Sequence, residues 1–204
     1  MIKQAGIVIA AVLSFTSFGW AQNEGRWDVS LNAAALIAKQ TSGNGTVQIP
    51  TTNVGFLGTA RFRFQKKSAL EVNWGHGDDS QKYVTSALLY RIPTIVSEFS
   101  GAFVVTPMET KRFKPFLLIG GGALVFNPNN TFIGGNAQAV QGVRQTRPAV
   151  LYGGGVDYRL KSIFALRLQY RGLFYSPPDF QLQGLFTGGR GHMAEPAVGI
   201  VARF

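Results

Sequence analysis

The sequence predicts an all-β fold, an eight-stranded antiparallel transmembrane β-barrel with tight turns at one end and long loops at the other. Three observations predict it. Apolar and polar residues alternate with a period of two in eight separate stretches. The connections between those stretches alternate long and short. After the N-terminal segment no run approaches the ~18 consecutive apolar residues of a helical span. Hydrocarbon satisfies no backbone polar group, so only helices and closed barrels cross a bilayer. With a second helical span excluded, membrane residence requires a barrel.

Residues 1–21 read as a secretory signal peptide. Lys3 supplies a positive start, Ala5 to Phe18 is an apolar run, and Gly19-Trp20-Ala21 places small side chains where a signal peptidase cuts. The run falls short of the roughly 20 apolar residues of a spanning helix, so cleavage after Ala21 is expected. Residues 22–204 then form one barrel domain.

The first stretch, Arg26 to Ile37, sets Trp27, Val29, Leu31, Ala33, Ala35 and Ile37 against Asp28, Ser30 and Asn32. Lys39 to Asn53 reads as a polar loop. The second, Val54 to Gln65, opposes Val54, Phe56, Ala60, Phe62 and Phe64 to Thr59, Arg61, Arg63 and Gln65. Only Gln65-Lys66-Lys67-Ser68 leads to the third, where Leu70, Val72 and Trp74 alternate with Glu71 and Asn73. Gly75 to Pro93 is a long connection in which Tyr83 to Ile92 fits either a strand extension or an ordered loop.

The fourth stretch, Thr94 to Thr106, opposes Ile95, Phe99, Phe103 and Val105 to Glu98 and Ser100. After the short basic turn Pro107 to Arg112, the fifth runs Lys114 to Phe126, with Phe116, Leu118, Leu124 and Phe126 in one register and expected to face lipid. Asn127 to Arg147 is a long polar loop. The sixth, Ala149 to Leu160, sets Tyr152, Val156 and Tyr158 against Asp157 and Arg159. Lys161-Ser162 turns tightly into the seventh, Ile163 to Tyr175, where Phe164, Leu166, Leu168, Tyr170 and Phe174 oppose Arg167, Gln169 and Arg171. Ser176 to Met193 is the last long loop. The eighth carries Pro196, Val198, Ile200, Ala202 and Phe204 outward and Glu195, Gly199 and Arg203 inward.

Long loops outside and tight turns in the periplasm are the asymmetry of bacterial outer-membrane barrels. The bacterial outer membrane is therefore the expected location. A soluble β-sandwich would also alternate, but its water-facing parity mixes Lys with Glu, Thr and Ser. Here the charged members of that parity are almost wholly Arg, Asp and Glu, with Lys kept to turns and strand ends. The planar guanidinium satisfies several acceptors at once, which suits a narrow enclosed lumen. The ten inward residues Arg61, Arg63, Glu71, Glu98, Asp157, Arg159, Arg167, Arg171, Glu195 and Arg203 are expected to form a cross-lumen ion-pair network that plugs the tube. Six arginines against four carboxylates leave a cationic surplus, which keeps a narrow anion-preferring pore open as an alternative. Aromatic girdles are expected at Trp27, Phe64, Phe116, Tyr158, Phe164 and Phe204 on the turn side, and at Trp74, Phe126 and Phe174 on the loop side.

The segments Glu98-Phe99-Ser100-Gly101-Ala102-Phe103, Lys114-Pro115-Phe116, Gly120-Gly121-Gly122 and Phe126-Asn127-Pro128 resemble the small OmpA/OmpX-like outer-membrane β-barrel superfamily. More narrowly, they are similar to barrel proteins of environmental Gram-negative bacteria. The closing Ala194-Glu195-Pro196-Ala197-Val198-Gly199 to Arg203-Phe204 is similar to their last strand. The resemblance covers the whole chain after the signal peptide and concerns architecture, not activity. It implies insertion by the outer-membrane assembly machinery, with Val198, Ile200, Ala202 and Phe204 as the assembly signal.

The chain carries 20 basic residues against 10 acidic ones, and loss of the signal peptide removes one cation, Lys3. Such an excess points to an anionic partner. Export argues against nucleic acid, so outer-membrane lipid and phosphorylated lipopolysaccharide are the expected partners of a monomer. No cysteine is present, which excludes disulfides and thiolate metal sites. The Gly-Gly-Gly runs at 120–122 and 153–155 lack the following Lys-Ser/Thr of a phosphate loop and read as sites of sheet curvature beside aromatic rings. Resemblance to small barrels that modify lipid A with His, Asp and Ser near the outer rim directs attention to His76, Asp78 and Ser80, which fall on an outer loop here, but a glycine-flanked loop fixes no base against a nucleophile. His192 has no recognisable partner. No cofactor or metal is expected, and the function expected is non-enzymatic: envelope integrity or surface interaction.

Overall fold

A computed structural model describes residues 25–86, 88–138, 142–182 and 184–204. The expected signal peptide and its cleavage site at Ala21 lie outside the described residues. Fourteen strands follow in chain order: β1 (Trp27–Ala38), β2 (Thr41–Gly43), β3 (Thr46–Pro50), β4 (Asn53–Gln65), β5 (Ser68–Asp78), β6 (Gln81–Val84) and β7 (Leu89–Ile92). Then come β8 (Thr94–Val105), β9 (Phe113–Pro128), β10 (Thr131–Ile133), β11 (Asn136–Gln138), β12 (Gln145–Arg159), β13 (Phe164–Tyr175) and β14 (Gly191–Arg203).

Eight of them close a barrel in the order β1-β14-β13-β12-β9-β8-β5-β4, every neighbour antiparallel. Closure leaves no unpaired sheet edge, the condition for a sheet in hydrocarbon. The seam is β1 against β14, with Leu31 opposite Ile200. It is finished by reciprocal backbone bonds between Trp27 and Phe204, at 3.1 and 2.8 Å.

The burial pattern runs opposite to that of a soluble protein. Val54 is 75% exposed, Leu31 66% and Ile119 63%, while Arg167 and Arg171 are fully buried. Apolar side chains make the outer surface and charged ones the interior, so the apolar parity seeks lipid and the polar parity seeks itself. Strand β9 departs from the expected register. Leu117 and Ile119 point outward, whereas Phe116, Leu118, Leu124 and Phe126 are buried inside. Both parities of this strand are apolar, so alternation alone could not choose between them. Phe116 and Phe126 therefore leave the girdles, while Trp27, Phe64, Phe164 and Phe204 at one rim and Trp74 and Phe174 at the other are exposed.

The glycine runs explain how so narrow a sheet bends. A Cβ on Gly122 would lie 2.1 Å from the Phe99 carbonyl oxygen, and one on Gly120 would lie 2.0 Å from that of Gly101. Strands β8 and β9 thus approach more closely than any side chain allows.

Three of the four connections at the long-loop end contain regular strands. Lys39 to Asn53 contains the hairpin β2–β3, Tyr83 to Ile92 belongs to the hairpin β6–β7, and the polar stretch after Asn127 contains β10–β11. These hairpins join in a second sheet of order β11-β10-β7-β6-β3-β2. The question left open for Tyr83 to Ile92 is answered by strands that extend this outer sheet and not the barrel.

Candidate functional site

The lumen and the sheet above it hold the interior polar groups. In the periplasmic half, Arg61 on β4 binds Glu71 on β5 at 2.6 Å through Nη2 and at 2.9 Å through Nε. Their strands place them directly opposite each other. Arg167 grips both oxygens of Asp157, at 2.7 and 3.0 Å, and lies 3.7 Å from Glu71. Arg203 reaches the same Asp157 at 2.9 Å and Asp28 at 3.5 Å, and Asp28 also accepts from Arg63 at 2.5 Å. Thr59 and Ser30 accept from Arg167 at 3.2 and 3.4 Å. Higher in the tube Arg171 pairs with Glu98 and stands 3.5 Å from Glu195.

The Phe116 ring fills the space between cations. Arg61 lies 4.3 Å from its centre and Arg167 5.1 Å, so the negative face of the ring partly solvates two desolvated guanidiniums. The expected lipid-facing aromatic is thus an interior element of the charge network.

Nine of the ten residues named from sequence converge here. Arg159 does not. It sits at the end of β12, half-exposed, 3.6 Å from Glu109 in the periplasmic turn. Inward parity at a strand end puts a side chain at the mouth, not in the lumen. Asp28, of the same polar parity as Ser30 and Asn32, takes its place against Arg63 and Arg203. The signal was present: Asp28 precedes the alternation Val29, Leu31, Ala33 in phase with Ser30 and Asn32. The interior therefore holds Arg61, Arg63, Arg167, Arg171 and Arg203 against Asp28, Glu71, Glu98, Asp157 and Glu195. Five basic residues stand among five acidic ones, so the excess of two in the sequence count disappears.

Two small cavities lie in the tube among the described residues. A cavity of about 20 Å³ lies among Asp28, Arg61, Arg63, Glu109 and Arg203 at the periplasmic mouth, and one of about 10 Å³ beside His76, Glu98 and Glu195. A single water needs ~10–15 Å³, so neither is a channel. Above the ion pairs the core turns apolar, with Leu124, Phe126, Leu151, Leu173 and Met193 almost wholly buried.

The last long loop closes the top. Phe180 and Leu185 are buried under the outer sheet, where Phe180 meets the Tyr83 ring edge-on at 6.3 Å. Tyr83 donates its hydroxyl to the Pro178 carbonyl at 2.6 Å, and Thr46 donates to that of Gly184 at 2.6 Å. Gln145 clamps the loop at three points. Its amide nitrogen donates to Asp179 Oδ1 at 2.6 Å, and its oxygen accepts from the backbone of Asp179 at 3.0 Å and Phe180 at 2.9 Å. That clamp holds Phe180 and Gln181 in left-handed conformations, with φ of 52° and 58°. Burial raises the Asp179 carboxyl, but Gln145, the Gln181 amide and Arg147 hold it below its ordinary range.

A second polar chain runs under the sheet. Asp79 accepts from Gln81 at 2.6 Å, Gln81 accepts from Gln48 at 2.7 Å, and Gln48 donates to the Tyr83 hydroxyl at 3.2 Å. Asp79 lies five residues beyond Trp74, past the apolar belt. Burial raises its carboxyl to about 7, against the hydrogen bonds from Thr51 and Gln81.

His76 is not in a loop. It lies on β5 with its Nδ1 3.1 Å from Ser97 Oγ and packs beside Phe56 and Trp74. Among the described residues no hydrogen bond links it to Asp78 or Ser80. His192 likewise sits in an aromatic cluster, 3.0 Å from the Tyr152 hydroxyl. No group of three or more His, Cys, Asp or Glu residues arranged for a metal occurs among the described residues.

In three dimensions the chain is similar to OprG from Pseudomonas aeruginosa, with a TM-score of 0.57 and 12% identity over 89% of this chain and 97% of that one. It has the fold of the small eight-stranded outer-membrane β-barrels. Ail, the attachment invasion locus protein of Yersinia pestis, matches with a TM-score of 0.55 and 14% identity over 89% of this chain and all of the other. Neisserial surface protein A matches with a TM-score of 0.53 and 14% identity, covering 90% of this chain. At such identities the likeness is one of fold. No protein-family model and no curated protein matches the sequence.

Proposed function

We propose that this chain is a monomeric, non-enzymatic resident of the bacterial outer membrane, exported through a signal peptide cleaved after Ala21. It acts as a sealed barrel that supports the envelope and presents its outer sheet to the surroundings. The observation that carries the reading is the closed cross-section: five-against-five ion pairs below, an apolar layer above, and Phe180 and Leu185 as a lid. A pore of the same size would leave a continuous polar path, and the apolar layer interrupts one. Building the loops into a hydrogen-bonded sheet lowers the entropy that a partner must remove on binding, which supports a surface role. Lipopolysaccharide is the partner best matched by the basic outer rim, where Lys39, Lys82, Arg91, Arg144 and Arg190 are exposed. The outer-membrane assembly machinery is the partner of the last strand, through Val198, Ile200, Ala202 and Phe204.

The lipid A enzyme is a weaker reading. His76 and Ser97 form a pair, but no carboxylate orients the imidazole among the described hydrogen bonds. The test is fractionation of expressing cells. The barrel is expected in the outer-membrane fraction, extracted only by detergent, with migration on a gel that changes on heating. Lipid A mass spectra are expected to be unaltered by its loss. Recovery as a soluble protein ends the barrel reading, and an altered lipid A profile restored by wild type but not by Ser97→Ala ends the non-enzymatic one.

A further inference from the structure

The periplasmic end carries a ring of cations that the lumen does not use. Lys66 and Lys67 occupy the turn between β4 and β5, Lys111 and Arg112 the turn between β8 and β9, and Lys161 the turn between β12 and β13, with Arg26 just before β1; all are exposed. The nearby carboxylates are already engaged. Asp28 and Asp157 face inward onto Arg63, Arg167 and Arg203, and Glu109 is shared by Lys114 and Arg159. None of the six has an ion-pair partner among the described residues. Six like charges around one small rim repel one another unless anions sit between them.

Two further features say which anions. Four of the six cations lie within three residues of an outward aromatic residue: Arg26 beside Trp27, Lys66 near Phe64, Arg112 beside Phe113 and Lys161 near Phe164. Aromatic rings in this position mark the level of lipid headgroups. The turns also expose apolar side chains, with Met108 60%, Leu160 55% and Ile163 50% accessible. Tips of this kind are costly in open water and stable where apolar atoms enter the acyl boundary while ammonium and guanidinium groups reach the phosphates.

We propose that the periplasmic rim is a binding site for the phosphodiester headgroups of anionic phospholipids in the inner leaflet, made by Arg26, Lys66, Lys67, Lys111, Arg112 and Lys161. The inference rests on the membrane reading above. Trp27 stands in the ring and reports on it. In a full-length chain carrying Trp20→Phe and Trp74→Phe, Trp27 is the remaining indole. Insertion into phosphatidylcholine vesicles is checked first by heat-modifiable migration.

Quenching of Trp27 by dibrominated phosphatidylglycerol is then compared with quenching by dibrominated phosphatidylcholine. The expected result is a preference of about fivefold for the anionic lipid at Trp27. It is expected to weaken with salt and to vanish in Arg26→Gln/Lys66→Gln/Lys67→Gln, three exposed changes that leave the lumen intact. A chain that inserts but is quenched equally by both lipids overturns this inference and leaves the membrane reading standing; one that does not insert overturns both. Equal quenching together with charge-dependent binding to purified cell-wall sacculi assigns the ring to the wall polymer instead and also overturns the proposal.

Discussion

Arg167 on β13 and Asp157 on β12 face each other across adjacent strands and join through two parallel hydrogen bonds, at 2.7 and 3.0 Å, with Arg167 fully buried. This pair is the centre of the lumen. Arg203 shares its carboxylate, Glu71 lies beside its guanidinium, and the Phe116 ring lies near the same cation. A charge with so many partners cannot be removed alone without orphaning others.

Arg167→Met is therefore expected to destabilise the barrel by about 3–5 kcal/mol, the cost of breaking a buried pair. Asp157→Leu combined with Arg167→Met is expected to recover part of that loss, since one buried charge no longer faces nothing. Urea unfolding of the refolded barrel in phospholipid vesicles measures both.

Phe116 distinguishes an interior ring from a girdle ring. Phe116→Ala is expected to cost about 3–5 kcal/mol through the cavity it leaves. Phe116→Leu is expected to cost about 1 kcal/mol, chiefly the face offered to Arg61 and Arg167. Phe64→Ala, on the exposed surface, is expected to cost less than Phe116→Ala in the same unfolding assay.

Gly122 and Gly45 separate close approach from backbone conformation. Gly122→Ala drives a methyl group to within 2.1 Å of a carbonyl oxygen on β8, so the chain is expected to remain in the unfolded band on a cold detergent gel. Gly45, with φ of 73° and nothing within 4 Å of a built Cβ, is expected to tolerate alanine with a loss of about 1 kcal/mol.

Asp79 gives a pH dependence with a definite sign. Its carboxyl is raised from 3.8 to about 7 in the folded state, so the folded state holds the proton more tightly than the unfolded chain. The stability contributed by this group is fully present below about pH 4 and is lost as pH rises through about 7. Asp79→Asn keeps an acceptor for Gln81 and removes the titration. The stability difference between pH 5 and pH 8 is expected to shrink in that variant, as read by urea midpoints at the two pH values.

The barrel was legible because lipid enforces a strict period of two on every spanning strand. All eight stretches correspond to barrel strands, and Trp27, Val54, Leu168 and Ile200 point where alternation puts them. Alternation is ambiguous where that constraint is weak. On β9 both parities are apolar, and Leu117 and Ile119 took the outer face because Phe116 is needed among the cations. Arg159 has the right parity but lies one step too near the mouth. The outer sheet left only short traces, such as Gln81 and Tyr83 alternating with Lys82 and Val84, because strands of three to five residues carry too few repeats to stand out. The clamp of Gln145 on Asp179 and Phe180 joins residues 34 and 35 positions apart, and no periodicity announces such a contact.

The sealed lumen is tested most directly by ion conductance of the purified, heat-modifiable protein in a planar lipid bilayer at neutral pH and high salt. A barrel closed by balanced ion pairs, an apolar layer and the Phe180 lid predicts a flat trace at the level of the bare membrane. Stable, reproducible current steps that persist in the wild-type protein would contradict it.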